Sequence, residues 1–188
     1  MNNQKNKVAL ECAITVAIAS VLNFIPIKGA NGFLSLEIWL IPIAILGIRR
    51  GMKVAGIAGF LVSIISFLTG QAYALNPIQF ILEYPIACSV LFSFGWFSKE
   101  IHRKVRMGEF PYWLILYSLS IGVLLKYACH FIAGIFFWGS YAPPGWSPVW
   151  YSLVINGLTG VENLMLLNIL MLFLLKKGKF LLNPITEW

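Results

Sequence analysis

Six ionisable side chains stand inside long apolar runs of this sequence: Glu11, Glu37, Glu83, Lys126, His130 and Glu162. An ionisable group in hydrocarbon costs at least about 2.5–3.5 kcal/mol on insertion scales, so each one needs either a partner or a task. Lys126, His130, Gly134 and Trp138 recur at every fourth residue and therefore share one helix face. Gly134 leaves room beside the imidazole, and Trp138 offers a flat aromatic wall. Two carboxylates, Glu37 and Glu83, together with aromatic rings suit a flat, cationic organic molecule held by charge pairing and cation–π contact. Lys126, Asn156 and the hydroxyls of Tyr73, Tyr84 and Tyr151 would add hydrogen bonds. The competing reading is purely structural: Lys126 neutralises Glu37, Glu83 or Glu162, and the aromatics form an interfacial belt.

Other chemistries find no residues to carry them. One of the two histidines, His102, sits in a basic connection, and neither HExxH nor a Cys/His cluster is present. Cys12, Cys88 and Cys129 lie in apolar segments without CxxC spacing and read as small buried hydrophobes. The glycine-rich stretch Gly51–Gly59 lacks the GKS/T of a phosphate loop, and GxSxG is missing. We therefore assign no catalytic residue, no metal and no cofactor, and expect a protein that is not an enzyme.

The elements that must position these groups follow from composition. Of 188 residues, 59% are hydrophobic and 11% charged, against roughly 25% charged in a soluble domain. The apolar residues fall in runs long enough to span a bilayer, which takes about 20 helical residues. Six runs are read, near 8–27, 33–48, 54–69, 77–97, 111–138 and 148–175. The expected architecture is all-α, a single transmembrane domain over residues 1–188 with six helices. Pro77, Pro111 and Pro148 fall at span ends, whereas Pro42 and Pro85 predict kinks, or a first-turn position if a helix starts later. The first run opens with Lys5 and Lys7 like a signal peptide but continues to Ile27 without a cleavage site, so a retained span is expected.

Basic residues set the orientation. Of the 14 Lys and Arg, all but Lys28 and Lys126 lie before the first span, between the second and third, after the fourth or after the sixth. The positive-inside bias then places both termini in the cytoplasm. The net charge of +7 therefore marks a cytoplasmic membrane surface and no nucleic-acid face. This topology brings Glu37, Glu83, Lys126, His130 and Asn156 from four helices to the outer half of the membrane. Glu11 falls near the inner start, and Glu162 deeper. The connection Gly139–Ser147 reads as an ordered outer loop or lid. On the first span, Ala9, Ala13 and Ala17 form a small-residue face that lets another helix approach, either a partner's or one of the chain's own.

Several segments carry a resemblance. SLEIWLIPI at Ser35–Ile43, GIRRGMKVAGIAGFLVSIISFLTG at Gly47–Gly70, NPIQFILEYPIA at Asn76–Ala87 and KYACHFIAGIFFWGSYAPPGWSPVWYSLVING at Lys126–Gly157 resemble the thiamin-binding membrane subunits of energy-coupling-factor transporters, the ThiT family. The resemblance implies six helices, an outward-facing thiamin site, and import of thiamin across a bacterial cell membrane. It further implies docking on a transmembrane coupling protein and two ATP-binding subunits. Carried over by motif, the ligand contacts would be Glu37, Tyr73, Glu83, Tyr84, Lys126, His130, Trp138, Tyr151 and Asn156. The thiazolium would face the carboxylates, and the aminopyrimidine would stack on Trp138 beside His130. Ala9, Ala13 and Ala17 resemble the AxxxA docking surface of such subunits. The first outer loop departs from the family pattern: it has Phe33 and no Trp as lid aromatic. A thiamin precursor or another cationic metabolite is the alternative ligand, and a structural protein with internal ion pairs the alternative class.

Overall fold

The structure, a computed structural model, describes residues 2–25, 27–28 and 35–182, so Pro26 and the lid position Phe33 lie outside the described residues. Six helices are present among them: α1 (Asn2–Asn23), α2 (Leu40–Arg50), α3 (Met52–Leu68), α4 (Pro77–Arg106), α5 (Tyr112–Phe136) and α6 (Pro148–Lys177). Between α1 and α2, Ile27–Lys28 pairs antiparallel with Ser35–Leu36. Four helices are long and apolar enough to cross a membrane, α1, α4, α5 and α6, and α3 is apolar but shorter. Large apolar side chains point outward, such as Leu10, Ile14 and Ile18 of α1 and Val161, Met165 and Ile169 of α6. Buried polar groups sit inside, among them Gln79, Glu83, Lys126 and Asn163. That inversion of a soluble protein's pattern suits hydrocarbon surroundings.

The second span departs from expectation. Helix begins only at Leu40, and 35–39 runs as a short strand followed by a turn. Tertiary hydrogen bonds replace the missing helical ones: the Glu37 N–H donates to Asn163 Oδ1 (2.7 Å), and Asn163 Nδ2 donates to the Ser35 carbonyl (2.8 Å). Pro42 thus falls in the first turn of α2, where a missing N–H costs nothing, and produces no kink. Gly51 at φ +85° separates α2 from α3, a left-handed conformation that favours glycine.

The fourth helix is long but irregular. Asn76 caps it by accepting the Gln79 N–H (2.9 Å), and Pro77 fills the first position. Pro85 cannot donate to the preceding turn, and the chain answers with one π turn over Leu82–Ile86, where the Ala87 N–H reaches back to the Leu82 carbonyl. A 3-10 stretch, Val90–Gly95, follows. Here the Ser93 carbonyl accepts the Trp96 N–H (2.9 Å), and the buried Ser118 hydroxyl of α5 is shared between the carbonyls of Ser93 (2.8 Å) and Phe94 (2.7 Å). Phe94 itself is wholly buried, with its ring over Gly122 of α5 and its Cβ against Gly47 of α2. Larger residues at 47 or 122 would collide with it. This contact fixes α2, α4 and α5 around one point.

Basic side chains gather at one end of the bundle. There Glu11 of α1 is clamped between Arg49 and Arg50 of α2, each Nε–H at 2.5 Å from one carboxylate oxygen. Arg49 also donates to the Leu181 carbonyl (3.2 Å) beyond α6. The opposite end carries the strand pair, the 69–76 connection and the 137–147 connection.

Candidate functional site

Within the bundle, toward the end away from the basic cluster, lies a cavity of about 330 Å³. Its walls come from α1 (Asn23), the segment before α2 (Ser35, Glu37, Trp39), α3 (Val62, Ser63, Ser66), the following connection (Gln71), α4 (Glu83, Tyr84, Cys88) and α5 (Lys126, His130). That volume lies at the small end of the range for ligand sites, about 300–1,000 Å³.

The helix face of α5 supplies its base. Lys126 Nζ lies 2.9 Å from Glu37 Oε1 and 3.1 Å from His130 Nε2, and stands 4.5 Å from the centre of the Tyr127 ring. An ammonium only donates, so His130 Nε2 is the acceptor, and the imidazole proton is assigned to Nδ1. That nitrogen faces Glu83 Oε1 at 3.9 Å. Glu37 Oε2, by contrast, is buried with no hydrogen-bond partner.

Glu83 sits on the π turn of α4, which aims it into the cavity while the helix around it continues. Trp138 Nε1–H donates to its Oε1 (2.9 Å), and the Gln79 side-chain amide donates to its Oε2. Both donors are neutral. Among the described side chains that line the cavity, one ammonium, that of Lys126, stands against two carboxyl groups, those of Glu37 and Glu83. Above it, Tyr73 packs on Trp138 with ring centres 5.8 Å apart. The Tyr84 hydroxyl accepts the Tyr73 N–H (2.9 Å) and donates to its carbonyl (3.1 Å), which ties the 69–76 connection to α4.

Five of the sequence-derived ligand residues, Glu37, Glu83, Tyr84, Lys126 and His130, line the cavity, and Tyr73 and Trp138 border it through Tyr84 and Glu83. Gly134 and Asn156 are not among the residues that line it. A methyl at 134 would strike Ser152 Oγ and Asn156 Nδ2 of α6, so this glycine lets the neighbouring helix approach closely. Asn156 Nδ2 donates to Ser152 Oγ (3.1 Å) within that contact. Tyr151, in the first turn of α6, is half-buried and does not line the cavity.

Sequence reasoning passed over Asn23, Trp39, Ser63, Ser66, Gln71 and Cys88. Ser63 and Ser66 share a helix face, and Asn23 Nδ2 donates to Ser66 Oγ (3.0 Å) and Gln71 Oε1 (2.9 Å). Uncharged polar residues inside apolar runs were the available signal. Glu162 does not line the cavity, and its Oε2 is buried without a hydrogen-bond partner.

Ala9, Ala13 and Ala17 are all exposed on α1. Ala9 and Ala13 line an open apolar groove of about 550 Å³ between α1 and α3. Among the described residues no group of three or more His, Cys, Asp or Glu side chains is arranged to hold a metal.

Comparison with known proteins gives this geometry a context. Residues 9–183 match the family model described as "Thiamine transporter protein (Thia_YuaJ)". The thiamine transporter ThiT of Lacticaseibacillus paracasei is 41% identical over 160 residues, covering 80% of this chain and 77% of that protein. ThiT of Bacillus subtilis is 35% identical over 167 residues, 83% of this chain and 84% of that one. A solved structure of ThiT from Listeria monocytogenes superposes with a TM-score of 0.88 at 36% identity, covering 96% of this chain and 99% of the other.

Proposed function

The chain belongs to the thiamine transporter protein family, and from that premise we propose that it is a substrate-binding subunit that captures thiamin from the outer side for ATP-driven import by a separate energy-coupling module. It is a multi-pass protein of the bacterial cell membrane and a transporter rather than an enzyme. With the basic end inside by the positive-inside bias, both termini are cytoplasmic and the cavity lies toward the outer surface.

One observation carries the ligand assignment. Among the described residues Glu83 is held by neutral N–H donors, and beside it Glu37 keeps a buried oxygen with no hydrogen bond. A cationic thiazolium placed between these groups supplies the missing positive charge. The aminopyrimidine then lies toward His130 and the Trp138 ring, with Lys126, Tyr73 and Tyr84 completing the enclosure and no cofactor taking part. An internal ion pair alone accounts for Lys126 and Glu37 but, among the described residues, gives Glu83 no cation of its own. Titrating thiamin into detergent-purified protein should quench tryptophan fluorescence saturably at submicromolar concentration. A folded protein that gives no response would sink the named ligand and turn the search to precursors and other cationic heterocycles.

Transport needs a power source, and the chain carries no phosphate loop. The proposed source is a transmembrane coupling protein with two ATP-binding subunits, docked on the alanine face of α1. That face is exposed and small-sided, as close helix approach requires. Ala13→Trp should abolish uptake by cells while thiamin binding by the purified protein stays at the wild-type level. Lost binding with surviving uptake would overturn the docking assignment.

A further inference from the structure

We propose that Gln79 is the positioning residue that presents Glu83 to the ligand's positive charge and links that carboxylate to the outer connection 69–76; this rests on the thiamin-binding reading above. Gln79 lies in the first turn of α4, four residues before Glu83 and on the same face, and it is fully buried at 0% exposure. Burial of an amide is costly unless every polar atom is met. Here each one is: Nε2 donates to Glu83 Oε2 and, at 3.4 Å, to the Tyr73 carbonyl, while Oε1 accepts the Leu75 N–H at 2.8 Å. A carboxylate and a carbonyl only accept and a backbone N–H only donates, so these contacts fix which way the amide points.

Two consequences follow from that arrangement. The Gln79 amide and the Trp138 indole grip the carboxylate from separate elements, and both are neutral. They orient the anion and stabilise it without cancelling its charge, which is what a receptor for a cation requires. Lys or Arg at 79 would hold Glu83 equally well and leave nothing for the ligand to neutralise. The same amide also holds the backbone of the outer connection at Tyr73 and Leu75, where the Tyr84 hydroxyl holds Tyr73 a second time. The carboxylate that recognises charge and the segment that borders the cavity mouth are therefore set by one side chain.

A double-mutant cycle tests this in the purified full-length protein, with thiamin as the probe and tryptophan fluorescence as the signal. Gln79→Met keeps the volume and removes the donors. It should weaken thiamin binding about tenfold or more, the usual scale for losing a hydrogen bond to a charged group. In a Glu83→Gln background the same substitution should cost less than about threefold, because residues acting through one another are not additive. Wild-type affinity in Gln79→Met, or an equal loss in both backgrounds, would overturn the proposal, since a merely structural residue lowers binding regardless of the charge at 83. If Gln79→Met does not yield folded protein, Gln79→Asn, which withdraws the amide by one methylene, is read in the same cycle. Failure of the wild-type protein to bind thiamin needs no variant to detect; it would overturn the functional reading, and this proposal with it.

Discussion

Glu83→Gln should lower thiamin affinity by roughly two orders of magnitude, about 2.7 kcal/mol, while the unliganded protein still folds. Truncating one partner of a desolvated charge pair costs about 2–5 kcal/mol, much of it from stranding the other charge. Here the stranded charge would be the thiazolium of the ligand. The amide keeps the shape of the carboxylate, and its oxygen can still accept the Trp138 N–H. Its NH2 group, however, meets the Gln79 donor, so a small loss of thermal stability accompanies the large loss of affinity. Isothermal titration and thermal melting in detergent separate the two quantities. A second arm uses an analogue whose quaternary nitrogen is replaced by carbon. Wild-type protein should prefer thiamin strongly over it, and Glu83→Gln should not. Unchanged affinity, or an affinity loss fully matched by a loss of stability, would remove Glu83 from the charge-recognition role.

The second large effect concerns folding. Lys126 is almost wholly buried, with its ammonium on Glu37 Oε1 and over the Tyr127 ring. Lys126→Met keeps the packing volume but removes the ammonium from Glu37 Oε1 and leaves a largely buried carboxylate without the cation that pairs with it among the described residues. Breaking a buried pair from one side costs about 3–5 kcal/mol, so the melting temperature without ligand should fall by several degrees or more. Adding Glu37→Gln to Lys126→Met should recover more than half of that loss, because the uncompensated charge is then gone. A single variant that melts like wild type would show that the pair contributes no stability.

The sequence made some of this plain and hid the rest for physical reasons. Apolar runs locate helices wherever lipid is the surrounding medium, and all six runs contain one. Hydropathy is blind to what replaces helical hydrogen bonds, however. Residues 35–39 are apolar enough to read as the start of a span, yet Asn163, far along the chain, holds them as strand and turn. Pro85 correctly marked an irregularity, but only the backbone shows that a π turn absorbs it. In the site, Glu37, Glu83, Lys126 and His130 stood out because charge inside an apolar run is rare. Ser63, Ser66, Asn23 and Gln71 did not, since a lone hydroxyl or amide is common in helices and only their convergence across α1, α3 and the next connection gives them meaning. Gly134 had the right spacing for the α5 face, but the space it provides is taken by α6. Spacing reports which residues share a side of a helix, not which neighbour that side meets.

The pairing of Lys126 with Glu37 also bears on how the protein is made. Their contact spans 89 positions of the chain, and the carboxylate comes first. Translation runs from the N-terminus, so α1 to α4 and the Glu37 segment have left the ribosome before α5 brings its ammonium to the bilayer. The residue whose solitary insertion costs most therefore arrives after its counter-ion has been synthesised. A nascent chain halted after α4 holds the carboxylate near the membrane edge with no ammonium, a lesser burden than a lone lysine midway along a spanning helix. The order of the two residues along the polypeptide thus suits an assembly line that inserts helices in sequence.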